Sequence, residues 1–174
     1  MTLNRWIPAA ALFLSACSQA EPVDYVDLER YDGLWYEIAR YTHSWEEGCT
    51  GSTAEYTPLD DGALEVRNRC FLESLEGELA EEVGRAEVAD PETNARLKVQ
   101  FDGSPEADYW VIDLDSPTEG DYQWAVVGSP WKAFLWILAR EPQLDEETLG
   151  GILGRLEALD YDVDALHWTV QPQE

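Results

Sequence analysis

The sequence predicts an all-β protein, an eight-stranded antiparallel up-and-down β-barrel with one C-terminal α-helix packed outside it. Eight runs downstream of residue 33 alternate apolar and polar side chains with a period of two, and they are rich in β-branched and aromatic residues. Short polar turns separate most of these runs, which is typical of hairpins between antiparallel strands. One stretch with helical spacing follows the last run. Sequential strands joined in this way favour a closed barrel, because closure leaves no strand edge exposed.

The first sixteen residues have the features of an export signal. A positive charge at Arg5 precedes an apolar stretch that is too short to cross a bilayer as a permanent helix. The stretch ends in Leu14-Ser15-Ala16-Cys17, which resembles a bacterial lipobox, the motif after which the cysteine becomes the first residue and receives lipids. An ordinary secretory signal with an incidental cysteine is the alternative interpretation.

The lipobox sets the expected organisation of the chain. We expect a lipoprotein signal peptide at residues 1–16, a lipidated cysteine and tether at residues 17–30, and the barrel domain at residues 31–172. Several acyl chains on Cys17 would give stable anchoring, since a single chain binds a membrane only weakly. Ser18 stands where retention signals of the inner membrane typically carry Asp, which favours the outer membrane, with the barrel facing the periplasm.

The strands follow from the period-two runs in chain order. Their turns carry the expected residues, as in Asp60-Asp61-Gly62 and Asp90-Pro91-Glu92-Thr93. The acidic segment 73–82 is ambiguous, because the fourth strand could begin inside it. The predicted strands are Leu34–Thr42, Ser52–Thr57, Ala63–Cys70, Glu82–Val88, Ala95–Phe101, Asp108–Leu114, Tyr122–Gly128 and Phe134–Ala139.

Two cysteines remain as a pair if Cys17 is lipidated, and an exported chain meets an oxidising compartment. Cys49 and Cys70 flank the predicted hairpin of the second and third strands, so we expect a disulfide across it. Aligning the apolar faces of these strands gives the two cysteines opposite parity. The second strand therefore needs a bulge, which Gly48 or Gly51 could host.

The helix is predicted to begin after Asp145, a good N-cap, with Thr148 in its first turn. Three glycines weaken its intrinsic propensity, so packing against the barrel must hold it. The tail 161–170 could return as a short strand. The apolar residues at helical spacing are Leu149, Ile152, Leu153, Leu156 and Leu159.

Acidic residues dominate the charge, with 36 Asp and Glu against 11 Lys and Arg, a formal net charge of -25. This balance argues against a nucleic-acid partner, because phosphate binding needs clustered basic side chains. It also argues against electrostatic docking on an anionic membrane, and it disfavours multiply anionic ligands. With 45% apolar residues and eight Trp, the chain is too hydrophobic to be an acidic disordered segment.

The first predicted strand carries a recognisable motif. The run from Gly33 to Arg40, Gly-Leu-Trp-Tyr-Glu-Ile-Ala-Arg, resembles the G-x-W signature of the lipocalin family in the form typical of its bacterial outer-membrane members. Tyr109–Ile112 with Asp115, and Leu135–Arg140 with Pro142, are similar to the family's second and third motifs, although Ser116 replaces the usual tyrosine. The resemblance spans about residues 31–172 and implies the eight-stranded lipocalin barrel. In that family the first-strand Trp plugs the closed end and the last-strand Arg stacks on it, which assigns these structural roles to Gly33, Trp35 and Arg140.

The resemblance also implies a ligand. Lipocalins bind small apolar or amphipathic molecules, and for membrane-anchored bacterial members this means a fatty acid or lysophospholipid, for storage, transport or envelope maintenance. An eight-stranded barrel has room for one small ligand or only for its own side chains, so a filled barrel is the alternative. At each lining position, ordinary barrel core is as good an interpretation as ligand contact. The inward positions expected to line the ligand are Ala54, Tyr56, Leu64, Val66, Leu97, Val99, Tyr109, Val111, Phe134 and Trp136.

We expect no cofactor, no metal ion and no catalytic residue, and a homodimer remains open. The alternative function is a lipocalin-fold enzyme acting on a lipid or carotenoid-like substrate. A thiol mechanism needs a free cysteine, and lipidation plus the disulfide would leave none. His43 and His167 lack the spacing of a metal site or a triad, so each is interpreted as solvated or packed. The acids Glu73, Glu76, Glu78, Glu81 and Glu82 could hold a weak cation, but a solvated face is the favoured interpretation.

Glu37 is the one acid whose parity with Trp35 predicts an inward side chain. A buried carboxylate would have a raised pKa. We hypothesise that Glu37 gates the barrel or orients a ligand head group.

Overall fold

Eight strands close into an antiparallel barrel in the computed structural model, which describes residues 19–173. The sheet runs β2-β3-β4-β5-β6-β7-β8-β1-β9, and β1 also pairs with β2, which closes the ring. The predicted signal peptide and Cys17 lie outside the described residues. The strands are β1 (Gly33–Tyr41), β2 (Cys49–Pro58), β3 (Leu64–Leu72), β4 (Leu79–Val88), β5 (Arg96–Phe101), β6 (Ala107–Leu114), β7 (Trp124–Gly128), β8 (Leu135–Ala139) and β9 (Leu166–Trp168).

All eight predicted barrel strands are confirmed, with shifted ends. β4 begins at Leu79, inside the ambiguous acidic segment, and β7 begins at Trp124 rather than at Tyr122. The predicted return strand is also present as β9. It pairs with the second half of β1, where Trp168 lies opposite Ala39.

The bulge expected in β2 lies at Gly51. Thr50 pairs with Phe71 and Thr53 pairs with Arg69, so two β2 residues oppose one β3 residue between these pairs. Gly51 has a φ of +59°, a conformation that suits glycine. This bulge brings Cys49 and Cys70 together, with 5.4 Å between their Cα atoms, and the predicted disulfide joins them.

The helix α2 (Glu146–Ala158) packs on the outer face of the barrel. Asp145 caps it as predicted, since its carboxylate accepts hydrogen bonds from the Thr148 backbone N–H and hydroxyl at 2.9 and 2.7 Å. Ile152 and Leu156 are fully buried against outward residues of β1, β7 and β8. Leu159 departs from the predicted apolar stripe, because the helix ends at Ala158 and leaves Leu159 exposed at the C-cap.

The described part of the segment expected to be a tether packs against the barrel at several positions. Ala20 and Val26 are buried, and their backbone N–H groups each donate 2.8 Å hydrogen bonds to the carbonyls of Pro130 and Thr93. A short helix, α1 (Leu28–Tyr31), follows and lies across one end of the barrel. Apolar residues in this segment explain the packing, because they bury surface that a polar tether would leave in water.

The connections define two ends of the barrel. The β2–β3, β4–β5 and β6–β7 turns lie at the end covered by α1, which we call the closed end. The β1–β2, β3–β4, β5–β6 and β7–β8 connections surround the opposite end, which we call the mouth. No helix within residues 19–173 combines the length and the apolar character needed to cross a bilayer.

Candidate functional site: the barrel interior and its mouth

The closed end is sealed by Trp35 and Arg140, the pair that the family resemblance implies. Trp35 is fully buried, and its indole N–H donates a 2.9 Å hydrogen bond to the Tyr31 carbonyl in α1. The Arg140 guanidinium lies 3.9 Å from the centre of the Trp35 ring. Its nitrogens also donate to the carbonyls of four residues, Tyr122, Leu34, Arg30 and Asp32. One cation therefore ties α1, β1 and the β6–β7 connection together.

Nine of the ten predicted lining residues belong to the core cluster inside the barrel, whereas Phe134 lies in the β7–β8 connection at the mouth. By exposure the ten divide into two layers. Six of them are at most 6% exposed and form a packed floor, which leaves no room for a ligand among them. The other four keep partly exposed side chains, although Ala54 pairs with Trp35 and Tyr109 pairs with Leu97. The floor contains Tyr56, Leu64, Val66, Leu97, Val99 and Val111, and the accessible layer contains Ala54, Tyr109, Phe134 and Trp136.

Three tyrosines form a polar group between the two layers. The Tyr109 hydroxyl lies 2.8 Å from the hydroxyl of Tyr31 and 2.8 Å from that of Tyr56. Burial raises the pKa of each of these phenols, so all three carry their protons at neutral pH. Three hydroxyl hydrogens serve two hydrogen bonds, which leaves one O–H able to donate to a bound molecule. Tyr56 and Tyr109 are among the predicted lining residues, whereas Tyr31 is not, although it lies just before the G-x-W motif.

Glu37 points into the barrel, as its parity with Trp35 predicts. It pairs with the inward Leu138 and is 5% exposed. Burial, and after it the nearby Glu46 carboxylate, raises the pKa of Glu37 to about 7. The Thr169 hydroxyl donates a hydrogen bond to Glu37 Oε1, and Arg40 Nη1 lies 3.4 Å from the same oxygen, which partly offsets these effects.

Arg40 also points inward, which the sequence analysis did not anticipate. A register shift between Glu37 and Ala39 places Arg40 opposite the inward Trp136. Its Nε lies 3.0 Å from Glu46 Oε2, and its Nη2 donates to the Glu46 carbonyl at 2.7 Å. Among the described residues, none accepts a hydrogen bond from Arg40 Nη1. The Arg40 guanidinium therefore lies between two carboxylates, Glu37 and Glu46, and its Nη1 makes an ion-pair contact without a hydrogen bond.

Aromatic rings cover one side of the mouth. His43 stacks on Trp45 with 4.3 Å between ring centres, and it also packs against Phe134 and Trp136 at 5.7 and 5.2 Å. His43 is therefore packed, which is one of the two interpretations that its sequence context left open. Its Nδ1 lies 3.0 Å from Glu46 Oε2, so Glu46 links this aromatic group to Arg40.

A cleft of about 590 Å³ opens beside this group, between β1, β9 and the start of β2. Arg40, His43 and His167 line it together with the acids Glu47 and Glu73. Burial and the charge of Arg40 lower the pKa of His167. Deeper in the wall, the Gln171 amide donates to the carbonyls of Glu37 and Ser52, which bridges β1 and β2 where the two strands separate.

The side chains of the acidic segment 73–82 lie mostly on the solvent-exposed surface. Glu73, Glu76, Glu78 and Glu82 are exposed, and Glu81 is paired with Arg67 and Arg69. No group of three or more His, Cys, Asp or Glu side chains among residues 19–173 is arranged to hold a metal ion.

A barrel that is sealed at one end, open at the other and lined by apolar side chains is the architecture of a small-molecule binding protein. The comparisons with known proteins agree with this geometry. The chain belongs to the lipocalin family, since the family model "Lipocalin-like domain" matches residues 26–171.

Individual relatives extend the match over nearly the whole chain. It is 36% identical to the outer membrane lipoprotein Blc of Escherichia coli over 169 residues, covering 94% of this chain and 93% of that protein. It is 35% identical to temperature-induced lipocalin-1 of Arabidopsis thaliana, covering 88% and 83% of the two chains. Insecticyanin from the tobacco hornworm Manduca sexta shares the fold, with a TM-score of 0.69 at 19% identity over 91% of this chain and 87% of its own.

Proposed function

We propose that this lipocalin holds one fatty acid or lysophospholipid in the mouth half of its barrel, without turnover, while it is anchored to the outer membrane through Cys17. The observation that carries the proposal is the layering of the interior. Six predicted lining residues are packed, whereas Ala54, Tyr109, Phe134 and Trp136 keep partly exposed surface, and we infer that the ligand lies against these four.

The accessible layer fits an alkyl chain. Its side chains are apolar or aromatic, and each methylene buried among them contributes about 0.8 kcal/mol to binding. Tyr109 marks the lower limit of this space, where the tyrosine hydroxyls can meet a single polar group. The alternative that the sequence left open is a barrel filled by its own side chains. In this proposal it applies only to the six packed residues of the floor.

The head group remains at the mouth in this proposal. Arg40 lies there with its Nε paired to Glu46, and its Nη1 contacts Glu37, whose pKa is about 7. Protonation of Glu37 removes a negative charge next to the head group, so Glu37 orients an anionic head group most favourably at low pH. The net charge of -25 favours a singly charged or zwitterionic ligand over a multiply anionic one.

The proposed location rests on the lipobox and on the relatives. Relatives from Escherichia coli, Vibrio cholerae and Citrobacter freundii, 33–36% identical to this chain, are named outer membrane lipoproteins. The predicted lipid-anchored location in the outer membrane agrees with these names. Acylation of Cys17 itself is tested by the mass of the N-terminal peptide of the protein purified from membranes.

Titration of the purified protein with oleate and with lysophosphatidylcholine tests the proposal. Trp136 lies in the accessible layer, so its fluorescence should change with ligand and saturate at one molecule per chain, and W136F should lose most of the signal. Chemical analysis after incubation should recover the ligand intact. Absence of saturation would contradict the binding site, recovery of a reaction product would support the enzyme alternative, and tighter binding of cardiolipin at low salt would contradict the charge argument.

A further inference from the structure

The N-terminal segment runs along the barrel from the closed end to the mouth. The Val26 backbone N–H donates to Thr93 in the β4–β5 turn at the closed end, and Val23 donates to Val111 in the middle of β6. Ala20 then donates to Pro130 in the β7–β8 turn at the mouth, and Ala20 is buried there. Cys17 precedes Ala20 by three residues, which span at most about 11 Å. A lipid on Cys17 must therefore enter the bilayer close to the mouth.

Two exposed tryptophans lie at the same end of the barrel. Trp131 follows Pro130 directly and is 70% exposed, and Trp45 in the β1–β2 connection is 63% exposed. Phe134 joins the two connections, since its ring lies 5.4 Å from that of Trp45. Tryptophan side chains favour the interface between lipid head groups and acyl chains, where the ring is partly apolar and the N–H stays hydrated. Without a membrane contact, these two exposed rings would stay in water, which is unfavourable for apolar surface.

The charges around the mouth divide it into two sides. The β1–β2 and β7–β8 connections carry the tryptophans together with Lys132 and one exposed acid, Glu47. The β3–β4 and β5–β6 connections carry no tryptophan and are strongly acidic. Their exposed acids are Glu73, Glu76, Glu78, Asp102 and Glu106. Repulsion from anionic head groups keeps this second side away from a membrane, whereas the aromatic side has little charge to oppose contact.

We propose that the barrel stands on the bilayer with its mouth towards the lipid, tilted so that Trp45 and Trp131 insert at the level of the head groups. This orientation rests on the proposed anchoring through Cys17. The membrane contact is aromatic rather than electrostatic, which suits a chain of this charge. The opening of the barrel then lies next to the bilayer, and a single-chain lipid passes between bilayer and barrel without crossing open water.

The lipidated protein, purified from membranes and reconstituted in phosphatidylcholine vesicles, tests this orientation. The vesicles carry phosphatidylcholine brominated near the head-group end of its acyl chains, because bromine quenches tryptophan fluorescence at short range. We expect partial quenching of the wild type and loss of the quenched fraction in W45S/W131S. The matched control is W168S, because Trp168 is 47% exposed on the outer wall of β9, below the mouth. This variant should keep the quenched fraction.

The other outcomes separate the orientation from the anchor. Vesicle flotation in high salt reports the anchor, and protein that fails to float overturns both the anchoring and the orientation that rests on it. Protein that floats without quenching, or that loses quenching in W168S rather than in W45S/W131S, overturns the orientation alone. A dimer in detergent that dissociates in W45S/W131S, with no quenching on vesicles, assigns the tryptophans to a second copy of the chain instead. Trp45 stacks on His43, so W131S alone replaces the double variant if that variant unfolds.

Discussion

Arg140 lies over the ring of Trp35, with its guanidinium carbon 3.9 Å from the ring centre and its nitrogens bonded to backbone carbonyls of three separate segments. This contact seals the end of the barrel that faces away from the mouth. In the proposed binding mode the ligand contacts the partly exposed residues, which include Tyr109. Residues that stabilise the fold are therefore distinct from the residues proposed to contact the ligand. Mutations of the first group should lower the free energy of unfolding, and mutations of the second group should lower ligand affinity.

Arg140→Ala should lower stability far more than ligand affinity. The substitution removes a partly desolvated cation–π contact and leaves several carbonyls without a donor, so the free energy of unfolding should fall by roughly 2–4 kcal/mol. Urea unfolding measures this loss, and titration with oleate measures affinity. Arg96→Ala is the matched control, because Arg96 stacks on Trp110 at 5.0 Å on the exposed outer wall and should matter much less. A larger effect on affinity than on stability would contradict the structural role.

Glu37→Gln should change how stability depends on pH. The pKa of Glu37 is about 7 in the folded chain against an ordinary value of 4.5, so the folded state binds more protons between these values. Its contribution to the free energy of unfolding therefore falls as pH rises through this window. Between pH 5 and 8 the wild type should lose roughly 2–3 kcal/mol relative to the Gln variant. Parallel stability curves for the two proteins would show that the carboxyl is not perturbed.

The same variant tests the proposed role of Glu37 at the head group. Protonation of the carboxyl should strengthen binding of oleate by the wild type as pH falls through 7, because a like charge disappears beside Arg40. In Glu37→Gln this rise should be absent. An equal pH dependence of affinity in both proteins would remove Glu37 from the ligand site while leaving its effect on stability intact.

Loss of the disulfide should cost about 3 kcal/mol in the chain-entropy estimate, because Cys49 and Cys70 are 21 residues apart in sequence. The double variant C49S/C70S should therefore unfold at lower urea but keep ligand affinity, since the β2–β3 hairpin register does not depend on the bond alone. Thiol titration of the unfolded, unreduced chain is the companion measurement. Reactive thiols at both positions would contradict the bond.

A tryptophan placed in the mouth should block the ligand. Ala107 is exposed at the start of β6 and pairs with the inward Val99, so Ala107→Trp places a large ring on the inner face at the mouth end of β6. We expect affinity for oleate to fall at least tenfold, a change of about 1.4 kcal/mol, with little change in stability. Gln100→Trp adds the same ring to the outer face of β5 and should leave affinity unchanged. Equal affinities in both variants would place the ligand outside the barrel.

Local patterns predicted most of the fold because each strand alternates inward and outward residues and each turn carries suitable residues. Arg40 shows where this reasoning stops. The bulge after Glu37 changes the parity of β1, so a residue that strict alternation assigns to the outside points into the barrel. The Tyr31 hydroxyl joins Tyr109 across 78 residues, a contact that no local pattern encodes. Ala20 lies in a segment whose polar composition predicts a tether. The cluster that buries it consists of residues from distant strands and from α2, so no local pattern predicts its burial.

Native mass spectrometry of the protein purified from bacterial membranes, followed by lipid extraction, shows whether the barrel carries a lipid. We expect one adduct per chain, with the mass of a single-chain lipid that is recovered chemically intact, and we expect its loss in Ala107→Trp. A protein that carries no adduct at any lipid ratio would contradict ligand binding, and one that releases a chemically altered lipid would contradict storage without turnover.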